Sequence, residues 1–370
     1  MQFYPLSVSH IRTETPDTRT IEFHLSDELK ERFTYQAGQY LTLRCQIGGR
    51  QVRRAYSMSS SPLEGRLAVT VKKVPQGRMS TYLCEVLKPG DVLEVAPPEG
   101  RFTVTFNPDK RRTFYFFGAG SGITPLMSLA KTALEAEPMS TIFLLYGSRD
   151  EDNIIFRDEL DQMSRRYAGQ LHVEYILSRP KKTEAGNFLG LFKRYSTNWN
   201  GRTGRITGRV VEQFLAENPP HTPTSDCLYF ICGPGNMADV VKAALLSQGV
   251  EAKQIHTEHF INATHVPGEA AIPSGAANNG ARLIVHLNRV RIETVVPPKA
   301  TILDVLIKEK YDVPYSCTAG ACSTCMAKVL QGKVRMDACY ALDEEEIKAG
   351  YCLTCQAHPE TDVVEISYDL

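Results

Sequence analysis

The chain has 370 residues, 42% of them apolar and 23% charged, with Lys+Arg and Asp+Glu both at 42. That length exceeds one ordinary core and implies two or three domains, and a zero net charge argues against nucleic acid as a partner. No run of about 18 apolar residues occurs, so no membrane helix is expected; the N-terminus lacks a charged segment followed by an apolar one, so a reducing, cytoplasmic setting is expected despite ten cysteines.

Residues 1–106 read as a small antiparallel barrel. Segments 19–25, 39–44, 66–71 and 92–95 alternate apolar and polar side chains with period two, separated by Gly and Pro turns. Within them, Arg54-x-Tyr56-Ser57 has the chemistry of flavin capture. A guanidinium forks onto phosphate, an aromatic ring stacks on a planar heterocycle, and a hydroxyl reaches its polar edge. A strand with an exposed basic pair is the competing reading. The segment Gly77-Arg-Met-Ser-Thr81 opens a helix with Gly, Ser and Thr, and its free N–H groups suit a pyrophosphate, or it forms a plain capped start.

Residues 107–262 change texture. Fully apolar strands at 113–117, 141–146, 172–177 and 227–231 alternate with helical stretches, which predicts a parallel doubly wound α/β sheet. GAGSGITP from Gly118 to Pro125 follows a strand and precedes a helix, as a phosphate-cradling turn requires, although Ile123 stands at the third glycine position. CGPGNM from Cys232 to Met237 is a second glycine-rich turn after a strand. Two such turns at strand C-termini frame one crevice. Residues 263–281 read as a linker of small residues and prolines that cannot bury enough surface to order itself. Its 18 residues from 263 to 280 would span roughly 23 Å as a flexible chain.

Residues 282–370 mix strands with one or two helices around Cys317, Cys322, Cys325 and Cys355. The spacing C-x4-C-x2-C, with a fourth cysteine after 29 intervening residues, is the plant-type ligand pattern for a [2Fe–2S] cluster. Small residues let the loop wrap inorganic sulfur, and Gly320 admits dihedrals that a Cβ resists. Structural zinc usually shows paired CxxC or CxxH ligands, which a lone Cys355 does not supply, and disulfides conflict with a reducing compartment. Cys339 and Cys352 fall outside the ligand spacing and read as small buried residues. Asp343 with Glu346 reads as a helix N-cap rather than an acidic docking patch. This segment carries 10 basic and 13 acidic residues against 32 and 29 in the rest of the chain, a mild opposition that salt would screen.

Taken together, Arg54-x-Tyr56-Ser57, Gly118 to Pro125, Tyr146 to Ser148, Cys232 to Gly235, residues 313–317, 353–356 and the cysteine set resemble the ferredoxin–NADP reductase superfamily. Within it they resemble multicomponent-oxygenase reductases of the phenylacetyl-CoA epoxidase type, over essentially the whole chain. The resemblance implies a β-barrel FAD domain, an α/β NAD(P) domain and an α+β, β-grasp ferredoxin domain. It implies flavin contacts from Arg54, Tyr56, Ser57, Val71, Lys73, Gly77, Met79 and Ser80. Gly120, Cys232, Gly233 and Phe260 are implied to bind cofactor and Thr124 to sit where the nicotinamide meets the flavin, with Tyr56, Ser57, Thr124 and Cys232 catalytic and Glu258 to Phe260 near the flavin's other face. Ser178 and Arg179 match the pair that holds a 2′-phosphate in NADP-linked relatives, which favours NADPH over NADH.

The expected activity is electron transfer from NADPH through FAD and the [2Fe–2S] cluster to an oxygenase component, the di-iron one acting on phenylacetyl-CoA. The alternatives are a Rieske-type or other oxygenase, a general ferredoxin reductase, FMN in place of FAD, or a zinc-stabilised binding module on a degenerate reductase scaffold.

Overall fold

A computed structural model describes residues 1–188, 192–260 and 280–369, with the backbone alone for 183–188 and 192–196. Strands β1 (Tyr4–Thr15), β2 (Thr18–His24), β3 (Tyr40–Ile47), β4 (Arg50–Ser57), β5 (Leu67–Lys72) and β6 (Val92–Val95) form an antiparallel sheet in the order β4-β3-β6-β1-β2-β5. Met58, just past β4, bridges Val69 of β5 and closes the sheet on itself. Alternate side chains of these strands, among them Leu41, Leu43, Val69, Val71 and Val95, are excluded from water inside it. Each contributes about 1.5–3 kcal/mol of burial. The barrel expected from period-two alternation is therefore present.

The next sheet is parallel throughout. β7 (Thr113–Ala119), β8 (Thr141–Ser148) and β9 (Leu171–Leu177) come first, followed by a hairpin, β10 (Thr183–Phe188) and β11 (Phe192–Ser196). β12 (Arg202–Thr203), β13 (Cys227–Pro234) and β14 (Ile255–Phe260) complete it in the order β12-β9-β8-β7-β13-β14. Helices Ile123–Ala136 and Arg157–Arg166 share one core with one face, while Gly208–Glu217 and Met237–Ser247 share another with the opposite face. Burial on both faces explains the unbroken apolar run of Phe114, Tyr115, Phe116 and Phe117. The strand order reverses between β7 and β13, and their C-terminal ends carry the two glycine-rich turns, which is where such sheets bind ligands.

The last unit is a mixed sheet. β15 (Ala281–Leu287), β16 (Val290–Val296), β17 (Met326–Gln331), β19 (Tyr351–Leu353) and β21 (Val363–Ser367) run in the order β16-β15-β21-β17-β19. A small second sheet pairs β18 (Val334–Met336) with β20 (Ala357–Pro359). Helix Ile302–Lys308 packs its buried side chains into the same core as Leu283, Val364 and Ile366. The cap at Asp343 is reciprocal: the Glu346 amide donates to Asp343 at 2.8 Å, and the Asp343 amide to Glu346 at 3.1 Å. Of the expected linker, residues 263–279 lie outside the described residues, and Ala281 already opens β15.

Candidate functional site

The two glycine-rich turns meet backbone to backbone. Cys232 pairs with Gly118 across β13 and β7, and a Cβ on Gly122 would lie 2.1 Å from the Cys232 carbonyl oxygen. Only glycine permits that approach. Gly120 has φ +55° with no heavy atom within 4 Å of an added Cβ, so the turn opens onto free space. Its carbonyl accepts from the Tyr146 hydroxyl at 2.9 Å. Thr124 is buried at the start of its helix, where its hydroxyl donates to the Ser121 carbonyl at 3.0 Å and so shapes the turn. A Cβ on Gly233 would meet Met237 Cε at 2.2 Å.

Across the crevice from these turns stands the end of β4. Ser57 Oγ donates to Glu258 Oε2 at 3.2 Å, and the Cys232 thiol lies 3.9 Å from the same oxygen. A hydroxyl, a thiol and a carboxyl from three separate strands thus converge on one point. Burial pushes the Glu258 carboxyl up to about 8, with the Cys322 sulfur adding to the rise and Ser57 opposing it. Burial, then Glu258, drives the Cys232 thiol well above its ordinary range. Glu258 is therefore biased toward its protonated form. The sequence put Glu258 only in the neighbourhood; nothing in it shows the pairing with Ser57.

The remaining flavin-motif residues are spread along the barrel wall. Arg54 donates to the Arg53 carbonyl at 2.7 Å, and Tyr56 is half-buried against the barrel core. Val71 points wholly into that core, so only its backbone is available. Lys73 pairs with Glu85 at 2.6 Å. Ser80 accepts from the Val74 amide and donates to the Gly77 carbonyl, each at 3.2 Å, and a Cβ on Gly77 would sit 2.4 Å from Ser80 Oγ. Met79 is buried beneath them. Phe260 ends β14 beside Pro234 and packs on the sheet core.

At the ends of β8 and β9, Arg149 is committed to Asp150 and Asn153, and Lys181 to Asp152. Ser178 and Arg179 are exposed, and among the described residues the Arg179 guanidinium has no ion pair or side-chain hydrogen bond.

The four cysteines come together as two pairs, Cys317 with Cys322 and Cys325 with Cys355. In each pair one thiol is held down by its partner's hydrogen bond, helped by the Ala319 and Ala321 amides at Cys317 and the Gly320 amide at Cys355. The chain builds this cradle locally. Thr318 and Gly320 take positive φ, and a Cβ on Gly320 would meet the Ala338 carbonyl oxygen at 2.7 Å. Thr354 donates its amide and hydroxyl to the Cys325 carbonyl, both at 3.1 Å, which brings Cys355 alongside. Two converging cysteine pairs fit a binuclear cluster with two cysteines per iron. Cys352 is buried beside them, its thiol pushed up to about 12 by burial, whereas Cys339 is half-exposed rather than buried.

The cluster loop docks on the barrel. Thr42 donates to Ser316 at 3.0 Å, Tyr40 and Thr324 share a hydrogen bond at 2.8 Å, and buried Arg53 pairs with Asp312 at 3.0 Å while covering the Tyr315 ring. Arg101 pairs with Glu346. A cavity of about 130 Å³ remains between the units, lined by Arg101, Thr257 and Glu258 on one side and Cys322, Ser323 and Tyr340 on the other. Thr257 Oγ1 is buried there with no hydrogen-bond partner among the described residues. None of these cross-unit contacts is legible in the sequence.

A closed flavin-type barrel, a nucleotide-type crevice and a plant-type cysteine cradle, abutting at one carboxyl, define an electron-transfer reductase. Comparisons with known proteins agree. Residues 5–104 match the oxidoreductase FAD-binding domain, 116–243 the oxidoreductase NAD-binding domain and 285–360 the 2Fe-2S iron-sulfur cluster binding domain. The chain is 33% identical to a subunit of 1,2-phenylacetyl-CoA epoxidase from Escherichia coli K12, covering 99% of this chain and 98% of that one. It is 35% identical to the ferredoxin reductase component of 3-ketosteroid-9-alpha-monooxygenase from Rhodococcus rhodochrous, covering 98% and 96%. The solved structure of phthalate dioxygenase reductase shares the fold over 99% of this chain and 98% of its own, with a TM-score of 0.57 at 22% identity. The chain belongs to the family of flavin- and [2Fe–2S]-containing oxygenase reductases. It is an NAD(P)H-dependent oxidoreductase that takes FAD, a [2Fe–2S] cluster and a pyridine nucleotide and passes electrons to an oxygenase. No helix among the described residues is long and apolar enough to cross a membrane.

Proposed function

We propose that this reductase draws electrons from NADPH and delivers them to a phenylacetyl-CoA epoxidase type of oxygenase in the reducing cytoplasm, without nucleic acid as a partner. The working division is a flavin domain over 1–106, a nucleotide domain over 107–262, a linker over 263–281 and a ferredoxin domain over 282–370. The observation that carries the electron route is the shared cavity, where Glu258 of the flavin–nucleotide crevice faces the ligand Cys322. Bound flavin would supply the conversion of a two-electron hydride donor into the single-electron deliveries that a one-electron cluster requires.

The chain's own residues do the positioning. Arg54 would hold phosphate, and the Tyr56 ring would stack on the flavin. Ser57 addresses the ring edge and is itself fixed by Glu258. Gly77, Met79 and Ser80 shape the pyrophosphate turn, with Val71 through its backbone and Lys73 flanking. Gly120, Thr124, Cys232, Gly233 and Phe260 shape the slot for the nicotinamide. Cys317, Cys322, Cys325 and Cys355 hold the two irons. Arg179 beside Ser178, with no ion pair among the described residues, supports NADPH, since a 2′-phosphate needs an available cation.

Replacing Cys355 by Ser tests the route: transfer to a cytochrome acceptor should vanish, while NADPH oxidation by ferricyanide persists. Equal survival of both activities refutes it. The near-equal identity to the 3-ketosteroid-9-alpha-monooxygenase component favours a second reading of the partner. Reconstitution with each purified oxygenase, scored by oxygenated product, separates the two.

A further inference from the structure

We propose that Tyr40 and Glu99, both on the flavin barrel, are positioning residues that set the reduction potential of the [2Fe–2S] cluster by orienting the Thr324 hydroxyl beside Cys322. Thr324 Oγ1 lies 2.8 Å from Tyr40 Oη, 3.3 Å from Glu99 Oε2 and 3.4 Å from Cys322 Sγ. The two barrel residues are locked to each other. The Tyr40 amide donates to the Glu99 carbonyl at 2.8 Å and the Glu99 amide to the Tyr40 carbonyl at 3.0 Å. A Cβ on Gly100 would come within 3.0 Å of the Tyr40 ring, so the phenol has little freedom to swing away.

The chemistry follows from one hydrogen and two acceptors. As a free thiol Cys322 donates to Thr324, but as an iron ligand its sulfur has no proton and can only accept. Tyr40 donates into the Thr324 oxygen, which leaves the threonine hydrogen to be shared between the Glu99 carboxylate and the Cys322 sulfur. A donor aimed at a ligand sulfur favours the more negative, reduced cluster and raises its potential. Tyr40 strengthens that donor by polarising it; Glu99 draws the hydrogen away and adds negative charge. The barrel and the ferredoxin unit meet here, so the tuning exists only in the docked molecule.

The proposal rests on the four cysteines holding the cluster. Its test is an EPR-monitored redox titration of the full holoprotein. Thr324→Val should lower the cluster midpoint by about two- to tenfold in the one-electron equilibrium, tenfold being 59 mV. Thr324→Ser should restore it. Tyr40→Phe should shift it the same way by less, and Glu99→Gln the opposite way. The flavin midpoint should stay put, and Tyr40→Phe should add nothing in the Thr324→Val background. A normal cluster signal with unshifted midpoints, or equal Tyr40→Phe effects in both backgrounds, overturns the proposal alone. Absence of a reduced-cluster signal from the unsubstituted chain overturns the ligand assignment as well.

Discussion

Glu258 is the most sharply testable residue of the crevice. Unfolded, its carboxyl titrates near 4.5; folded, burial carries it to about 8. Below 4.5 both states are protonated and the group costs nothing. As pH rises from there the unfolded chain ionises while the folded chain keeps its proton, so stability falls until the folded carboxyl ionises near 8. The interval is about 3.5 pH units, and at about 1.36 kcal/mol for each the cost reaches roughly 5 kcal/mol. Glu258→Gln keeps the shape and the contact with Ser57 but removes the titration. Infrared difference spectra of the holoprotein against the Gln variant should show a protonated-carboxyl band that disappears near pH 8. Thermal unfolding should show the variant gaining on the unsubstituted protein between pH 5 and pH 8. A band lost below pH 6, or parallel stability curves, refutes the burial argument.

Arg179→Ala should lower kcat/KM for NADPH by roughly ten- to a hundredfold, the worth of a charge-assisted contact, and leave NADH unchanged; steady-state kinetics with both nucleotides checks it. Gly122→Ala forces a Cβ against the Cys232 carbonyl, so denaturant titration should show a loss of at least about 1–3 kcal/mol together with weakened nucleotide binding. Glu137 is fully buried against Arg112, which donates Nε at 3.0 Å; Glu137→Gln strands a buried cation and should cost about 3–5 kcal/mol by the same measurement.

The elements that announce themselves in the sequence are those whose local pattern matches their final burial. β6 falls on residues 92–95 because Val92–Val95 alternates without interruption, and β7 because both its faces are covered. β1 gives no such signal, since register shifts between Val8 and His10 and between Thr13 and Thr15 break its alternation. β4 is half polar in part because buried Arg53 pairs with Asp312 of the neighbouring unit rather than facing water. The cysteine set is legible because ligand spacing is a local property of the chain. The pairing of Ser57 with Glu258 and of Tyr40 with Thr324 is not, since no local pattern encodes a contact made by docking one finished unit on another.

That distance along the chain also has a consequence in time. The Ser57–Glu258 bond joins residues 201 apart, and the Tyr40–Thr324 bond residues 284 apart. At a synthesis rate of about 5–20 residues per second, a barrel completed with β6 waits roughly 8–33 s for the strand that brings its carboxyl. During that wait the flavin-side opening has no partner surface, while the cysteine cradle, once made, closes within a span of 39 residues from Cys317 to Cys355. The electron entrance can thus close before any of the four cysteines is made, and the contact across the wider gap, Tyr40 with Thr324, is the later one.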